Sequence, residues 1–377
     1  MRILLLSPYH GGSHRAWAEG YQAHSAHEVS LLTLPAHFWK WRMHGGAVTL
    51  ARQWLDKTSV SIPDLILATD LLDLTIFLAL TRRKTAAVPV ALYMHENQLT
   101  YPLPVDPTIG PMRRQLGERD RHYAFINFAS MLAADRVFFN SEFHLENFFG
   151  ALPPFLRHYP EYNEVETVGP LREKSTVLPV GVDLRRLDVD DVPVDPAAPP
   201  LILWNQRLEY DKNPEAFIGL LASLAAEGAV FRVALCGERF GKPGDKWEEG
   251  VARLGDRVIH NGYADADLYR RLLWESTLTV STAGHEYFGI SILEAIYCRT
   301  FPLLPARLSY PELVPASFHA DCLYHGRPDL LNRLRWAVTD PAAARAVAAR
   351  LAPTAARFDW HAMAPRYDNE FSTLVGS

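Results

Sequence analysis

The chain has 377 residues, more than the roughly 250 to 300 at which a single hydrophobic core usually stops growing, so two domains are expected. Hydrophobic residues make up 48% and charged residues 21%, a composition that fills large cores and excludes extensive disorder. A net charge of -5 gives no global field for nucleic acid or an anionic membrane, so any polyanion must be held by a local patch.

Short apolar runs alternate with longer segments of helical period. Ile3–Ser7, Val29–Leu34, Leu65–Ala68, Pro89–Met94, Arg136–Asn140 and Thr176–Pro179 read as buried strands of a parallel sheet with crossover helices. The rhythm restarts at Leu201–Asn205 and continues through Phe231–Cys236, Val258–His260, Leu278–Ser281 and Thr300–Leu304. Between the series, Asp188–Pro200 carries four prolines and four aspartates and reads as a stiff linker. We therefore expect an α/β protein of two Rossmann-like, doubly wound domains: 1–187, a linker at 188–200, 201–355, and a C-terminal helix over 356–377 that packs back on the first domain. Two such domains would face one another across a central cleft, where ligands bind at the carboxyl ends of the strands.

No apolar run is long enough for a secretion signal or a membrane span, because Ser7 and Pro8 cut the first and Asp73 interrupts Leu71–Leu80. Cys236, Cys298 and Cys322 are odd in number and widely spaced, which argues against a disulfide framework and for a reducing cytoplasm. Oligomeric state leaves no trace in the sequence.

The first strand runs into Gly11-Gly12 and a helical segment from Arg15; a glycine pair there lets backbone approach a phosphate or sugar closely, but it is not a full G-x-G-x-x-G fingerprint. After the fourth strand come His95, Glu96, Asn97, Gln98 and Tyr101, polar groups that need partners at a sheet's carboxyl end. Trp39, Trp41 and Arg42 follow the second. In the second domain, Arg207 and Lys212 follow the first strand and supply an Arg fork and a Lys point charge, which can neutralise an anion without a metal. The most specific segment is Ser281 to Glu294, where a strand ends, a polar loop follows and an apolar helix starts near Gly289; its free N–H groups form an anion site flanked by Glu286 and Glu294. Asp188-Val-Asp190 and Asp265-Ala-Asp267 spell D-x-D, but the first lies in the linker and the second opens a helix; neither is expected to bind metal.

Glu286, Phe288, Gly289 and Glu294 resemble the E-x7-E signature of retaining glycosyltransferases of the GT-B fold, the group that includes sucrose and glycogen synthases. The set Leu34 to Arg42, Tyr93 to Pro102 and Phe138 to Phe143 resembles one family in particular, the glycosyltransferase-like proteins of tRNA-queuosine mannosylation. The resemblance runs from Met1 to about Glu312, with Leu308 to Glu312 in place of a Gly-rich loop. It implies transfer of mannose from GDP-mannose to queuosine at the wobble position of tRNA-Asp, with no other cofactor. It implies donor contacts at Gly11, Gly12, Arg207, Lys212, Glu286, Phe288, Gly289 and Glu294, and acceptor contacts at Trp39, Trp41, Arg42, Glu96, Asn97, Gln98 and Tyr101. His95, Glu286, Arg207 and Lys212 would be catalytic, by a same-face route or a double displacement through Glu96.

Three other readings share these residues. A glycan, lipid or small metabolite could replace the tRNA, and the neutral balance of residues 1–183, 17 Lys plus Arg against 18 Asp plus Glu, leans that way. Arg82-Arg83-Lys84 and Arg113, Arg114, Arg119 and Arg121 lean toward an RNA backbone. A non-catalytic binder would be expected to lose the charged residues, and a nicotinamide dehydrogenase would carry the third glycine.

Overall fold

The computed structural model describes residues 1–56, 61–102, 111–190, 195, 197–237 and 244–376, without the side chains of 111–120. Arg113, Arg114 and Arg119, and Pro193 and Pro196 of the linker, therefore lie outside the described side chains. The chain divides into two units, Met1–Asp183 with Phe358–Ser377, and Leu184–Arg357. The division thus falls ahead of the Pro-rich segment: Leu184 and Leu187 are buried, and Leu187 packs in the second unit's core beside Leu201 and Leu273. The chain returns to the first unit at Phe358 rather than at residue 356.

The first unit holds β1 (Arg2–His10), β2 (Glu28–Pro35), β3 (Leu65–Thr69), β4 (Val90–Met94), β5 (Arg136–Phe139) and β6 (Ser175–Val177) in the order β2-β1-β3-β4-β5-β6, all parallel. β3 and β4 are buried at every residue, as continuous apolar runs covered on both faces must be. Strand order reverses between β1 and β3, so the loops after them flank a natural binding position. The second unit holds β7 (Leu201–Trp204), β8 (Arg232–Leu235), β9 (Val258–Asn261), β10 (Leu278–Val280), β11 (Phe301–Pro305) and β12 (Leu323–Tyr324) in the order β12-β11-β10-β7-β8-β9. That is the Rossmann order, with Leu278 of β10 opposite Ile202 of β7 across the switch point. The sequence pattern missed β12, because two residues make no apolar run.

Helix starts differ from expectation in one place. The helix after β1 begins at Gly12, not at Arg15. Gly12 takes a φ of 49°, and a Cβ on Gly11 would lie 2.4 Å from the Ala36 Cβ, so the turn needs both glycines. Residues 342–356 form nearly all of helix Pro341–Leu351 and most of a 3₁₀ segment, Ala352–Phe358. Among the described residues no helix is long and apolar enough to cross a membrane.

The last helix, Trp360–Val375, completes the first unit's core. Its Tyr367 hydroxyl accepts from Trp17 Nε1 (3.0 Å) and donates to the Pro179 carbonyl (2.8 Å), while Asp368 accepts from Tyr21, Ser25 and the Ala26 amide. Trp360 is 1% exposed and lies where a Cβ on Gly20 would sit 2.1 Å from its Nε1 and one on Gly181 2.5 Å from its ring. Trp360→Ala should therefore cost the first unit about 3–5 kcal/mol, read as a lowered urea midpoint at unchanged slope; a midpoint like that of the unaltered protein would show that the helix only decorates this unit.

Candidate functional site

In the second unit the charged residues gather at the carboxyl ends of β7 and β10, the two strands that flank the switch point. Lys212 lies in a short 3₁₀ turn after β7 and is 7% exposed. Its Nζ donates to the His285 carbonyl (2.9 Å) and to Glu286 Oε2 (3.1 Å), and sits 3.1 Å from Asp211 Oδ2. That last contact is an ion pair without hydrogen-bond geometry, since neither Asp211 oxygen has a hydrogen-bond partner. The loop is tied to the turn by its main chain: Gly284 and His285 amides donate to the Asp211 carbonyl, and the Thr282 hydroxyl lies 3.0 and 2.9 Å from the Lys212 and Asn213 carbonyls. Ser309 Oγ contacts the Glu286 and Phe288 carbonyls, and Arg307 donates to those of Ala283 and Gly284. Gly289, with a φ of 101°, turns the loop into helix Ile290–Tyr297, whose N-terminus no side chain caps. Phe288 is buried rather than presented to a ligand.

Burial alone would lower the Lys212 pKa, but Glu286 and Asp211 outweigh it and push the ammonium upward. Burial would raise the Glu286 carboxyl, yet the Lys212 charge and hydrogen bond bring it below its ordinary value. His285 is pushed down to about 4 by burial and by Lys212, so its ring is neutral. Glu294, 6% exposed, pairs with Arg186 through one oxygen and accepts from the Tyr269 hydroxyl (2.7 Å) through the other; burial, outweighing Arg186, raises its pKa. Both Glu294 oxygens thus already have protein partners, and a ribose diol would have to share them. Arg207 is largely exposed and pairs with Glu209 at 3.1 Å.

In the first unit His95 and Glu96 open the loop after β4. The His95 ring packs against His14, Trp17 and Tyr93 at centroid distances of 4.5, 4.7 and 4.8 Å, and among the described residues its buried Nε2 has no hydrogen-bond partner. Burial, then His14 and His144, lowers its pKa and keeps it a neutral hydrogen-bonding group. Asn97 is spent on its own turn: it is fully buried and its Oδ1 accepts from the Leu99 and Thr100 amides (3.0 and 2.8 Å), which removes its carboxamide oxygen from acceptor binding. Gln98 Nε2 donates to Glu96 Oε1 (3.0 Å), and the Tyr101 amide closes the turn on the Asn97 carbonyl. Trp39 and Trp41 share one helical turn and diverge. Trp39 packs inward beside Tyr123 and Met43, whereas Trp41 is 62% exposed; Arg42 Nε donates to the Pro35 carbonyl (3.1 Å).

The sequence reading missed Asp70, Arg186, Asp211 and Tyr269. Each acts through a partner distant in sequence, except Asp211, whose place beside Lys212 was visible though its burial was not. Of the D-x-D residues, Asp188 accepts from Tyr297 (2.5 Å), Asp265 caps helix Ala266–Glu275 by accepting from the Leu268 amide, and Asp267 pairs with Arg270 (2.7 Å).

Removing the ammonium leaves two carboxylates facing each other without a cation. Lys212→Met should cost about 3–5 kcal/mol of unfolding free energy, and a loss below about 1 kcal/mol in urea titrations would show the pair to be solvated. Because the folded Glu286 carboxyl lies below its ordinary 4.5, its contribution is present above that pH and is lost as pH falls through the folded value. Glu286→Gln should therefore flatten the acid limb of the stability curve below about pH 4.5; an unchanged limb would contradict the shift.

Comparison with known proteins bears on this arrangement. Residues 2–182 match the tRNA-queuosine alpha-mannosyltransferase N-terminal domain family, and residues 190–349 the glycosyl transferases group 1 family. The tRNA-queuosine alpha-mannosyltransferase of Drosophila melanogaster is 31% identical over 330 residues, 83% of this chain and 81% of that protein. The GDP-mannose:cellobiosyl-diphosphopolyprenol alpha-mannosyltransferase of Komagataeibacter xylinus is 26% identical over 183 residues, 46% of each. Among solved structures, sucrose-phosphate synthase from Thermosynechococcus elongatus has a TM-score of 0.69 at 16% identity, covering all of both chains. Anabaena HepE in complex with UDP-glucose has a TM-score of 0.66 at 16% identity, covering 99% of this chain and all of that one. These two show the fold, GT-B, with two parallel six-stranded sheets. The extent of the match to the Drosophila protein, and the family domain over the first unit, establish the rest: the chain is a glycosyltransferase and belongs to the tRNA-queuosine alpha-mannosyltransferase family.

Proposed function

We propose that the chain moves mannose, with retention, from GDP-mannose to queuosine at the wobble position of tRNA-Asp, and that the second unit holds the donor. The observation that carries the donor site is the buried Lys212–Glu286 pair at the switch point, beside an uncapped helix N-terminus. A diphosphate has the charge to draw Lys212 Nζ from Glu286, while the exposed Arg207 fork closes on a second phosphate oxygen. Glu286, released from Lys212, is then available to a sugar hydroxyl, and Glu294 offers its remaining lone pairs to the ribose. The names of the Drosophila and Komagataeibacter relatives support mannose as the sugar, and the latter's supports GDP as the carrier.

For retention we favour a same-face reaction. The bond from the anomeric carbon to the diphosphate oxygen breaks, the acceptor oxygen bonds to that carbon on the same face, and the acceptor proton passes to the departing phosphate oxygen. Arg207 and Lys212 stabilise the charge that develops on the diphosphate. His95, neutral, contributes a hydrogen bond rather than a charge. The aromatic Trp41 and the polar Glu96, Gln98 and Tyr101 belong to the acceptor side, with the unpaired base stacked on the ring. A cytoplasmic location follows from a tRNA acceptor, and the free thiols Cys236, Cys298 and Cys322 are compatible with it.

The test is to incubate the protein with GDP-mannose and tRNA from cells that can or cannot make queuosine, then weigh the digested nucleosides. One hexose added only to queuosine supports the reading. Donor hydrolysis with no addition to either pool would move the acceptor to a glycan, lipid or metabolite. Arg207→Ala and Lys212→Ala should each lower turnover by about two orders of magnitude or more; near-normal rates in both would remove the clamp. Because the two cations supply the neutralising charge, transfer should survive excess EDTA, and loss restored by Mg²⁺ or Mn²⁺ would contradict this.

A further inference from the structure

The segment after β2 carries two backbone irregularities that the transfer scheme leaves unused. The chain winds without a break through the turn Trp39–Trp41, a π-helical turn at Arg42–Gly46 and helix Ala47–Leu55. A π turn is wider than an α turn, is rare, and occurs mostly as a single bulge at functional sites. Phe38, which opens the stretch, is held at a φ of 50°, a left-handed conformation that is strained for a side chain of its size. Its carbonyl accepts from the Trp41 and Arg42 amides (2.8 and 3.1 Å), so the turn it opens keeps it there.

One side of the stretch is anchored. Met43 is buried, the Trp39 and His44 rings lie 5.2 and 5.1 Å from Tyr123, and His44 stacks on His122 at 4.9 Å. The other side presents Phe38, 82% exposed, and Trp41, 62% exposed. Trp41 and Gly45 are four positions apart and share a face. A Cβ on Gly45 would lie 2.6 Å from Trp41 Cζ2 and 2.7 Å from Cε2, so the six-membered ring of the indole rests on the glycine backbone. Gly45 has no left-handed φ, and glycine inside a helix is less stable than alanine. Its backbone therefore makes no demand for glycine; the ring above it does. Residues 29–55 include Lys40, Arg42 and Arg52 and no acid, and neither Arg42 nor Arg121, which precedes His122, makes an ion pair among the described residues.

We propose that Phe38 joins Trp41 in a stacking platform for unpaired nucleotides of the acceptor RNA, and that Gly45 is a positioning residue that seats the Trp41 ring. An aromatic face fixed on its inner side and open on its outer side, a second open ring held by a strained turn, and cations without acids are the chemistry that holds bases by their flat faces and the backbone by its charge. Duplex RNA, whose bases are already stacked, gains nothing from such rings. The identity of the RNA rests on the function proposed above; the seat of Trp41 on Gly45 does not.

The experiment measures the affinity of the full chain for labelled tRNA, from cells that can or cannot make queuosine, by fluorescence anisotropy, alongside steady-state transfer. Gly45→Ala and Trp41→Ala should each weaken tRNA binding about tenfold. The double variant should be no weaker than Trp41→Ala, because the alanine methyl at 45 acts only through the ring. Phe38→Ala should lose about fivefold, and Phe38→Tyr, which keeps the ring, should bind like the unaltered protein. KM for GDP-mannose should not change in Gly45→Ala. Unchanged tRNA affinity in Gly45→Ala and Phe38→Ala, or losses that add in the double variant, would overturn the proposal and leave the exposed rings to another partner. Single-stranded oligouridine should displace the tRNA better than a duplex of equal length, and a duplex that competes as well would remove the stacking. If the variants lose tRNA affinity but the unaltered protein adds no mannose to queuosine, the platform stands and the acceptor nucleoside is rejected. Transfer to queuosine with tRNA affinity unmoved in the variants rejects the platform alone.

Discussion

A buried ammonium cannot be left alone in a protein interior, and Lys212 is the ion on which the second unit's binding end depends. Its desolvation is offset by Glu286, by Asp211 and by the His285 carbonyl, so the turn after β7 and the loop after β10 must meet at one point. Every other contact in that region enforces the meeting. The Asp211 carbonyl takes two loop amides, the Thr282 hydroxyl reaches back to the turn, and Ser309 and Arg307 hold the loop carbonyls from the far side. The result is a charge pair preassembled at the place where a parallel sheet offers helix N–H groups to an anion. On the function proposed here, an incoming diphosphate would exchange one anionic partner of Lys212 for another, which avoids exposing the ammonium to an apolar interior.

Eleven of the twelve strands were readable as short apolar runs between polar loops, most plainly those buried at every residue such as β3, β4, β7 and β11. The twelfth, Leu323–Tyr324, is too short to make a pattern. His95 stood out because it directly follows a buried strand, and Lys212 and Glu286 because they lie in the segments after β7 and β10, which the structure brings into contact. What stayed hidden were interactions set by distance in space. Arg186 reaches Glu294 across 108 positions, and Tyr269 completes the same carboxylate from another helix. Asn97 shows the reverse error: its polarity suggested a ligand, but a short side chain in a tight turn finds its own backbone first. The boundary moved for a packing reason, because Leu187 is apolar and is claimed by the second core before the first proline of the Pro-rich segment.

The two binding ends are built on different electrostatics. The second unit's end carries paired ions, as a site for a charged leaving group requires. At the first unit's end His95 is neutral and buried among aromatic rings, and Asn127 and Asn140 do the holding with uncharged amides. Such a surface suits hydroxyl groups and a flat base, whose recognition turns on direction and stacking. Its rigidity comes partly from the chain's own end, since the helix carrying Trp360, Tyr367 and Asp368 closes the core against helix Gly12–His24 and Tyr93 of β4.

The central claim is that Lys212 gives up Glu286 for a phosphate oxygen of the donor. A crystal structure of the chain with GDP-mannose measures this directly. The account predicts a diphosphate oxygen within hydrogen-bond distance of Lys212 Nζ, Arg207 turned from Glu209 toward a second phosphate oxygen, and the Glu286 carboxylate facing the sugar. A nucleotide bound elsewhere, with the Lys212–Glu286 bond still in place at its present 3.1 Å, would contradict it.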